Sequence, residues 1–353
     1  MKIQIGKKRI GEGEPLYFIA DIAANHDGDL SRALKLIDLA KEAGADAAKF
    51  QNFQASKIVS RKGFEGLGGQ LSHQASWKKS VFEVYQDASL DFHWTEKLKK
   101  HCDDVGIEYM TSPYDFESVD HVDPYANVYK IGSGDITWLE IIEYIGRKGK
   151  PVILATGAAS LEEVKRAMKV LAGVNDRIVL MQCNTNYTGS PENFRYINLN
   201  VLKTYAALFP NTILGLSDHA PGPSAVLGAV ALGARVFEKH FTDDRGREGP
   251  DHKFSVIPCE WKEMVARADE VYRALGDGVK KVEDNEQQTS IVQKRALRYT
   301  RDLKKGATLT AADLFPLRPI PPGALPPYEI KNILGKKLRR DVQEQECVMK
   351  GDV

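Results

Sequence analysis

Two histidines close short apolar runs: His219 ends "GLSDH" and His240 ends "VFEKH", 21 residues further on. Neutral imidazoles on neighbouring strand tips can converge on one divalent ion, and two protein ligands leave room for water and substrate, as a Lewis acid needs. The spacing alone is not a metal signature, since a lone histidine here is more often a hydrogen-bonded structural residue. Two lysines supply a second theme: Lys49 in "DAAKFQ" and Lys130 in "NVYKIGSGD" lie near the ends of apolar runs, with Thr111 and Ser133 at comparable points. A single lysine so placed snorkels to solvent. Two of them with hydroxyl donors around one opening read better as an anion pocket. The period-two alternation of a strand puts Lys49 and Gln51 on one face and aligns Glu238 with His240. Charges facing inward in this way are costly unless paired or met by ligand.

These groups need a frame that gathers strand ends. Between residues 15 and 276 short β-branched or apolar runs alternate with helix-period segments, the pattern of successive βα units. Eight runs are legible: "LYFIAD", "DAAKFQ", "IEYMTS", "NVYKIG", "PVILAT", "IVLMQC", "TILGLS" and "RVFEKH". That count in this length predicts a closed (β/α)8 TIM barrel, whose chemistry sits at the carboxyl ends of its strands. Asp29 and Gly44 punctuate one helix, while Ser160 with Glu163 and Gly173 punctuate another, as N-caps and helix stops do. The aperiodic stretch from Asn52 to Trp77 is too long for an ordinary βα connection and reads as a lid over the mouth or an irregular insertion. The reading divides the chain into a barrel domain (1–280), a polar linker (281–293) and a small β-rich unit (294–353) without a long helix.

Composition narrows the function. With 49 basic and 48 acidic side chains in 353 residues, no global field exists to hold nucleic acid or an anionic membrane, so anion binding must be local. Cys102, Cys183, Cys259 and Cys347 form no CxxC pair, which fits reduced thiols. The first twenty residues show no signal-peptide pattern and no run is long enough to span a bilayer, so a cytoplasmic location is expected.

The stretches "FIADIAANHDGDLSRALKLIDLAKEAGADAAKFQ", "YMTSPYD", "VYKIGSGD", "LATGAAS", "GLSDH", "GAVALGARVFEKHFTDD" and "GPDHKFS", in this order, resemble the sialic acid (N-acetylneuraminate) synthase family. "LKKGATLTAADL" and "LRPIPPG" resemble that family's antifreeze-like (SAF) C-terminal domain. The resemblance implies condensation of phosphoenolpyruvate with an N-acylated hexosamine aldehyde of the N-acetylmannosamine type. The products would be phosphate and a nine-carbon 2-keto-3-deoxy sugar acid such as neuraminate, legionaminate or pseudaminate. It implies a divalent ion, most commonly Mn2+, with Mg2+ or Co2+ as alternatives, on His219 and His240. Lys49, Thr111, Lys130, Ser133 and Ser217 would surround phosphoenolpyruvate; Asp21, Gln51, Asp135, Tyr187 and Asp251 would face the sugar. Asp21 or Asp135 would activate the water that completes the reaction. Arg318 would reach over the active site of a partner subunit in a domain-swapped homodimer. Two departures stand out: Asp21 and Asp135 occupy positions where the family usually has Glu. Thr185 stands where an Asn is expected after Cys183, leaving Asn184 or Asn186 to substitute. Two other readings compete: a Schiff-base aldolase using Lys130 or Lys49, and a sugar-binding protein without catalysis.

Overall fold

The first residues form an antiparallel hairpin, β1 (Lys2–Ile5) and β2 (Lys8–Gly11), outside the eight expected strands. Eight parallel strands follow: β3 (Tyr17–Asp21), β4 (Ala47–Asn52), β5 (Glu108–Pro113), β6 (Tyr129–Ile131), β7 (Val152–Ala155), β8 (Ile178–Cys183), β9 (Ile213–Ser217) and β10 (Val236–His240). They close in sequence order, with β10 pairing β3. The computed structural model describes residues 1–353, the side chains of Ser72 and Ser76 excepted. Two compact units emerge, Met1–Gly276 and Asp277–Val353.

Alternation along the strands sorts the barrel into two apolar layers. Phe18, Phe50, Tyr109, Leu154, Leu180, Leu216 and Phe237 face the helices. Tyr17, Ile19, Ala47, Met110, Val128, Ile153, Val179, Met181 and Val236 fill the interior. Ile3, Ile5 and Ile10 of the hairpin join that inner cluster. Most of these partners are early strand residues, so the hairpin stoppers the amino end of the barrel and leaves the carboxyl end as its opening.

The punctuation acts as expected. Helix α1 (Leu30–Glu42) starts where the Asp29 carboxylate accepts the Ser31 N–H at 2.8 Å, and the chain leaves it through Gly44 at φ +92°. Ser160 and Glu163 form a reciprocal capping box on the helix Leu161–Ala172. The excursion between β4 and the next long helix is more ordered than its composition suggests. It contains α2 (Ala55–Ile58), α3 (Arg61–Glu65), a 3-10 turn at Ser72–Ser76 and α4 (Val81–Ala88), the last with a Ser80–Glu83 capping box.

In the second unit β11 (Ala296–Tyr299) pairs antiparallel with β12 (Leu314–Leu317) over a core including Leu297, Tyr299, Leu309, Ile333, Leu338 and Val348. The polar stretch 281–293 carries a 3-10 turn and the short helix Gln287–Val292, and it belongs with this unit. Among the described residues no helix is long and apolar enough to cross a membrane.

Candidate active site

Parallel register sets Asp21 beside Lys49 on one side and His240 on the other. Lys49 Nζ lies 2.6 Å from Asp21 Oδ2 and 3.8 Å from Glu238 Oε2; Lys130 Nζ lies 3.5 Å from Glu238 Oε1. All four side chains are buried. Two cations and two anions therefore balance inside an apolar barrel, which makes their burial tolerable. Ser217 Oγ donates to Glu238 Oε1 at 3.0 Å, while Glu238 Oε2 is buried without a hydrogen-bond partner. Burial would strip the charge from Lys49, but Asp21 and Glu238 outweigh it and hold its pKa above the ordinary lysine value. Burial raises the pKa of Asp21, and Lys49 offsets this only in part. For Glu238 the balance reverses: Lys130 and Lys49 overcome burial and keep it well below the usual carboxylate range.

The imidazoles stand next to this cluster. Their ring centroids are 5.4 Å apart, and His240 Nε2 is 3.6 Å from Asp21 Oδ2. Burial pushes the pKa of His240 down to about 3, so the ring is neutral at ordinary pH. Its Nδ1 is buried with no hydrogen-bond partner, 4.0 Å from Asp251 Oδ2. Asp251 is itself held by the Ala24 N–H at 3.1 Å. His219 Nδ1 donates to the Asn184 carbonyl at 3.0 Å, which assigns the lone pair to Nε2. Burial would lower the pKa of His219, but Cys183 outweighs it and raises it. A neutral His240 with an orphaned buried nitrogen, beside a His219 whose Nδ1–H is fixed from behind, fits a divalent ion. Among the described residues no three His, Cys, Asp or Glu side chains make a closed metal cage; an open two-histidine site is the arrangement a Lewis acid can use.

The other expected residues divide. Gln51 shares the inward face of β4 with Lys49. Ser133 Oγ accepts from the Gly157 N–H at 2.8 Å. Tyr187 packs edge-on against His219 at 4.6 Å and lies 6.1 Å from His240. Thr111, expected at the anion pocket, turns toward the helix layer: its Oγ1 donates to Asn52 Oδ1 at 2.6 Å, and both side chains are buried. The inward position belongs to Ser112, two residues after the interior Met110, and its Oγ is buried without a partner. The two asparagine carboxamides are tied locally. Asn186 Oδ1 accepts from Thr188 at 2.7 Å and Asn184 Nδ2 donates to the Tyr196 carbonyl at 3.3 Å. Asn184 serves the site through its carbonyl. Arg318 is exposed in the second unit, after β12.

Sequence reasoning placed Glu238 on the inward face with His240 but gave it no role, and it passed over Ser112 and Gly157 as site residues. Glu238 was legible from its parity with His240; Ser112 was not, because Tyr109 and Met110 before it are both apolar and leave the parity of the strand open. Gly157 gave no such signal. A Cβ there would stand 1.8 Å from Thr185 Oγ1 and 3.0 Å from Ser133 Oγ, so only glycine lets the turn after β7 pass this close.

A closed parallel barrel with a charge-balanced lysine–carboxylate cluster and paired imidazoles at its open end defines a (β/α)8 protein with an enzyme-like site. The chain belongs to the NeuB family, whose model matches residues 36–280, and residues 294–353 match the SAF domain. It is 35% identical over 334 residues to the N,N'-diacetyllegionaminic acid synthase of Campylobacter jejuni, covering 94% of this chain and 98% of that one. It is 32% identical to the human N-acetylneuraminate-9-phosphate synthase, covering 96% and 93%. The crystal structure of the spore coat polysaccharide biosynthesis protein SpsE from Bacillus subtilis superposes with a TM-score of 0.67 at 29% identity, covering 100% of this chain and 99% of that one.

Proposed function

We propose that this protein is a nonulosonic acid synthase that joins phosphoenolpyruvate to an N-acylated hexosamine aldehyde and releases phosphate. The observation that carries this reading is the pair of buried lysines, Lys49 and Lys130, set against neutral His240 at the mouth of one barrel. Lys49, Lys130, Ser112, Ser133 and Ser217 bind the carboxylate and phosphate of phosphoenolpyruvate by charge and by O–H donation. Gln51, Asp135, Tyr187 and Asp251 hold the sugar. His219 and His240 would hold a divalent ion, Mn2+ by preference, whose Lewis acidity polarises the acceptor aldehyde.

The enol carbon of phosphoenolpyruvate forms the new bond to the aldehyde carbon, and the aldehyde oxygen takes up a proton. The phosphate-bearing carbon is left electron-deficient and adds water; its bond to the phosphate oxygen then breaks, giving the keto acid and phosphate. Asp21 is better placed than Asp135 to deprotonate that water. It lies between Lys49 and His240, where the anion pocket meets the imidazoles, and burial raises its basicity. The reading extends to a homodimer in which Arg318 of each chain completes the partner's site, and to work in the cytoplasm.

A Schiff-base aldolase needs an amine whose pKa is lowered. Lys49 is shifted the opposite way and ion-paired, and Lys130 lies 3.5 Å from the Glu238 carboxylate, which counts against that alternative. A purely sugar-binding role leaves the buried charge cluster without a purpose, since barrel stability does not require it.

The test is phosphate release from phosphoenolpyruvate with an N-acyl mannosamine and Mn2+, with mass identification of the keto acid. Release should require all three components and stop with chelator. His240→Ala should lose turnover while keeping its melting profile. Full activity in that variant would remove the imidazole assignment, and borohydride trapping of a pyruvate adduct would favour the aldolase.

A further inference from the structure

On the side of the mouth away from the imidazoles, three aromatic side chains from separate segments gather near the strand end that leads into Asp135. Phe53, just past β4, is buried, with its ring centroid 5.5 Å from that of Tyr85 on α4 and 5.8 Å from that of Tyr114 after β5. The two tyrosines are half-buried. Tyr114 reaches the end of β6: a Cβ on Gly132 would stand 3.3 Å from its hydroxyl. Three residues further on is Asp135, in the 3-10 turn Ser133–Asp135. The acidity of Tyr85 is suppressed by burial and then by Asp251 and Asp135; that of Tyr114 is suppressed by burial and then by Asp135 and Asp21. Both phenol rings pack on Phe53, and Tyr114 closes on the strand end that leads into Asp135.

The polar atoms there are poorly satisfied by protein. Among the described residues neither the Tyr85 hydroxyl, nor the Tyr114 hydroxyl, nor the Asp135 carboxyl has a hydrogen-bond or ion-pair partner within the chain. Two donors and an acceptor beside an aromatic wall are complementary to a group with an N–H, a carbonyl oxygen and an apolar end. An acylamino substituent has these three features in one plane. A hydroxyl in its place would use the polar groups but leave the rings uncovered, and an alkyl group would strand the carboxylate.

Resting on the synthase reading above, we infer that Phe53, Tyr85, Tyr114 and Asp135 form a subsite for an acylamino substituent of the acceptor sugar, with Tyr85 its specificity-determining residue. Asp135 accepts the amide N–H, a phenol hydroxyl donates to the amide carbonyl, and the acyl methyl lies against Phe53 and Tyr85. Tyr85 is brought by α4, so the excursion between β4 and the following helix contributes substrate contacts as well as cover.

The test compares acceptor sugars that differ at a single position, acylamino against hydroxyl, for each amino-bearing carbon of a mono-acylated and a di-acylated mannose series. Acceptor kcat/KM and phosphoenolpyruvate KM are measured for wild type, Tyr85→Phe and Tyr85→Ala. For one position the wild type should favour acylamino by about tenfold to a hundredfold. Tyr85→Ala should reduce that ratio by at least about fivefold, and Tyr85→Phe should retain most of it, with phosphoenolpyruvate KM within about twofold throughout. Lengthening the acyl chain from acetyl to butanoyl should lower wild-type kcat/KM and be better tolerated by Tyr85→Ala. An unchanged ratio in Tyr85→Ala, or a wild type indifferent to the substituent at every position, overturns the subsite while leaving the synthase reading in place. Absence of phosphate release with any sugar overturns the synthase reading and the subsite with it. If Tyr85→Ala fails to fold, Asp135→Asn serves in its place, with the same ratio as readout.

Discussion

Asp135 is a carboxyl group in a poor environment for charge. Burial raises its pKa to about 6, and the Lys130 charge opposes this without cancelling it. An unfolded aspartate titrates near pH 4, so between about pH 4 and 6 the native state binds more proton than the unfolded chain. Stability contributed by this group is therefore greatest below that window and is lost as pH rises through it. Asp135→Asn removes the titration. Urea unfolding of both proteins should show the variant gaining on wild type by about 1–3 kcal/mol between pH 4 and pH 7. A constant difference across that range would mean that the native carboxyl is as well solvated as an unfolded one. The case of Thr111 shows what residue-level reading could not supply. "YMTS" contains two hydroxyls in succession, and the flanking Tyr109 and Met110 are both apolar, so nothing in the string fixes which parity faces the interior. The barrel decides it by packing Tyr109 against Phe50 on the outside and Met110 within, which sends Ser112 to the mouth. At β10 the parity was legible, because Glu238 and His240 alternate with Lys239, whose buried ammonium pairs with Asp218 in the outer layer.

At the scale of elements, the strands were legible because period-two apolar runs and period-3.6 helices follow one another with caps and glycines at their joints. The hairpin β1–β2 escaped notice although Ile3, Ile5 and Ile10 are spaced by polar residues as a half-buried ribbon would be. Its role depends on contacts far along the chain, with Tyr17, Ala47 and Val236 in the same interior cluster, and no local pattern reports those. The hairpin's importance can be measured. Ile10 is fully buried, and truncating a core isoleucine to alanine costs about 2–5 kcal/mol. Ile10→Ala should lose stability in that range in a denaturant titration, while acceptor and phosphoenolpyruvate KM values stay near wild type because the opposite end of the barrel is untouched. A loss below about 0.5 kcal/mol would show that the hairpin is an ornament on a barrel already closed without it. The excursion after β4 offers a contrast. Its short helices were hidden by glycine-rich composition, and its relation to the site is carried by side chains: His73 rests on Tyr187 at 4.8 Å, and Lys78 meets Glu248 of the loop after β10 at 2.9 Å.

At the scale of the whole molecule, the balance of charge inside the barrel bears on what must come from outside it. Lys49 and Lys130 are already matched by Asp21 and Glu238, so a phosphorylated, carboxylated substrate arrives at a pocket with little net positive charge to spare. Further cationic contacts would add to affinity and exclude water from the reacting carbon. Arg318, exposed in the SAF domain, is the group assigned that task in the proposed dimer, where it serves the partner's site and not its own. That arrangement makes a prediction that a self-contained subunit cannot imitate. His240→Ala and Arg318→Ala homodimers should each be inactive or nearly so. If the chains are unfolded together and refolded as an equal mixture, half of the dimers are mixed, and each mixed dimer contains one site with both His240 and Arg318 intact. Activity should then recover to about a quarter of wild type, with phosphoenolpyruvate KM restored to the wild-type value. Recovery should follow the fraction of mixed dimers as the mixing ratio is varied, passing through a maximum at equality. Activity that never exceeds the weighted sum of the two parent variants would place Arg318 over its own barrel or remove it from the site altogether.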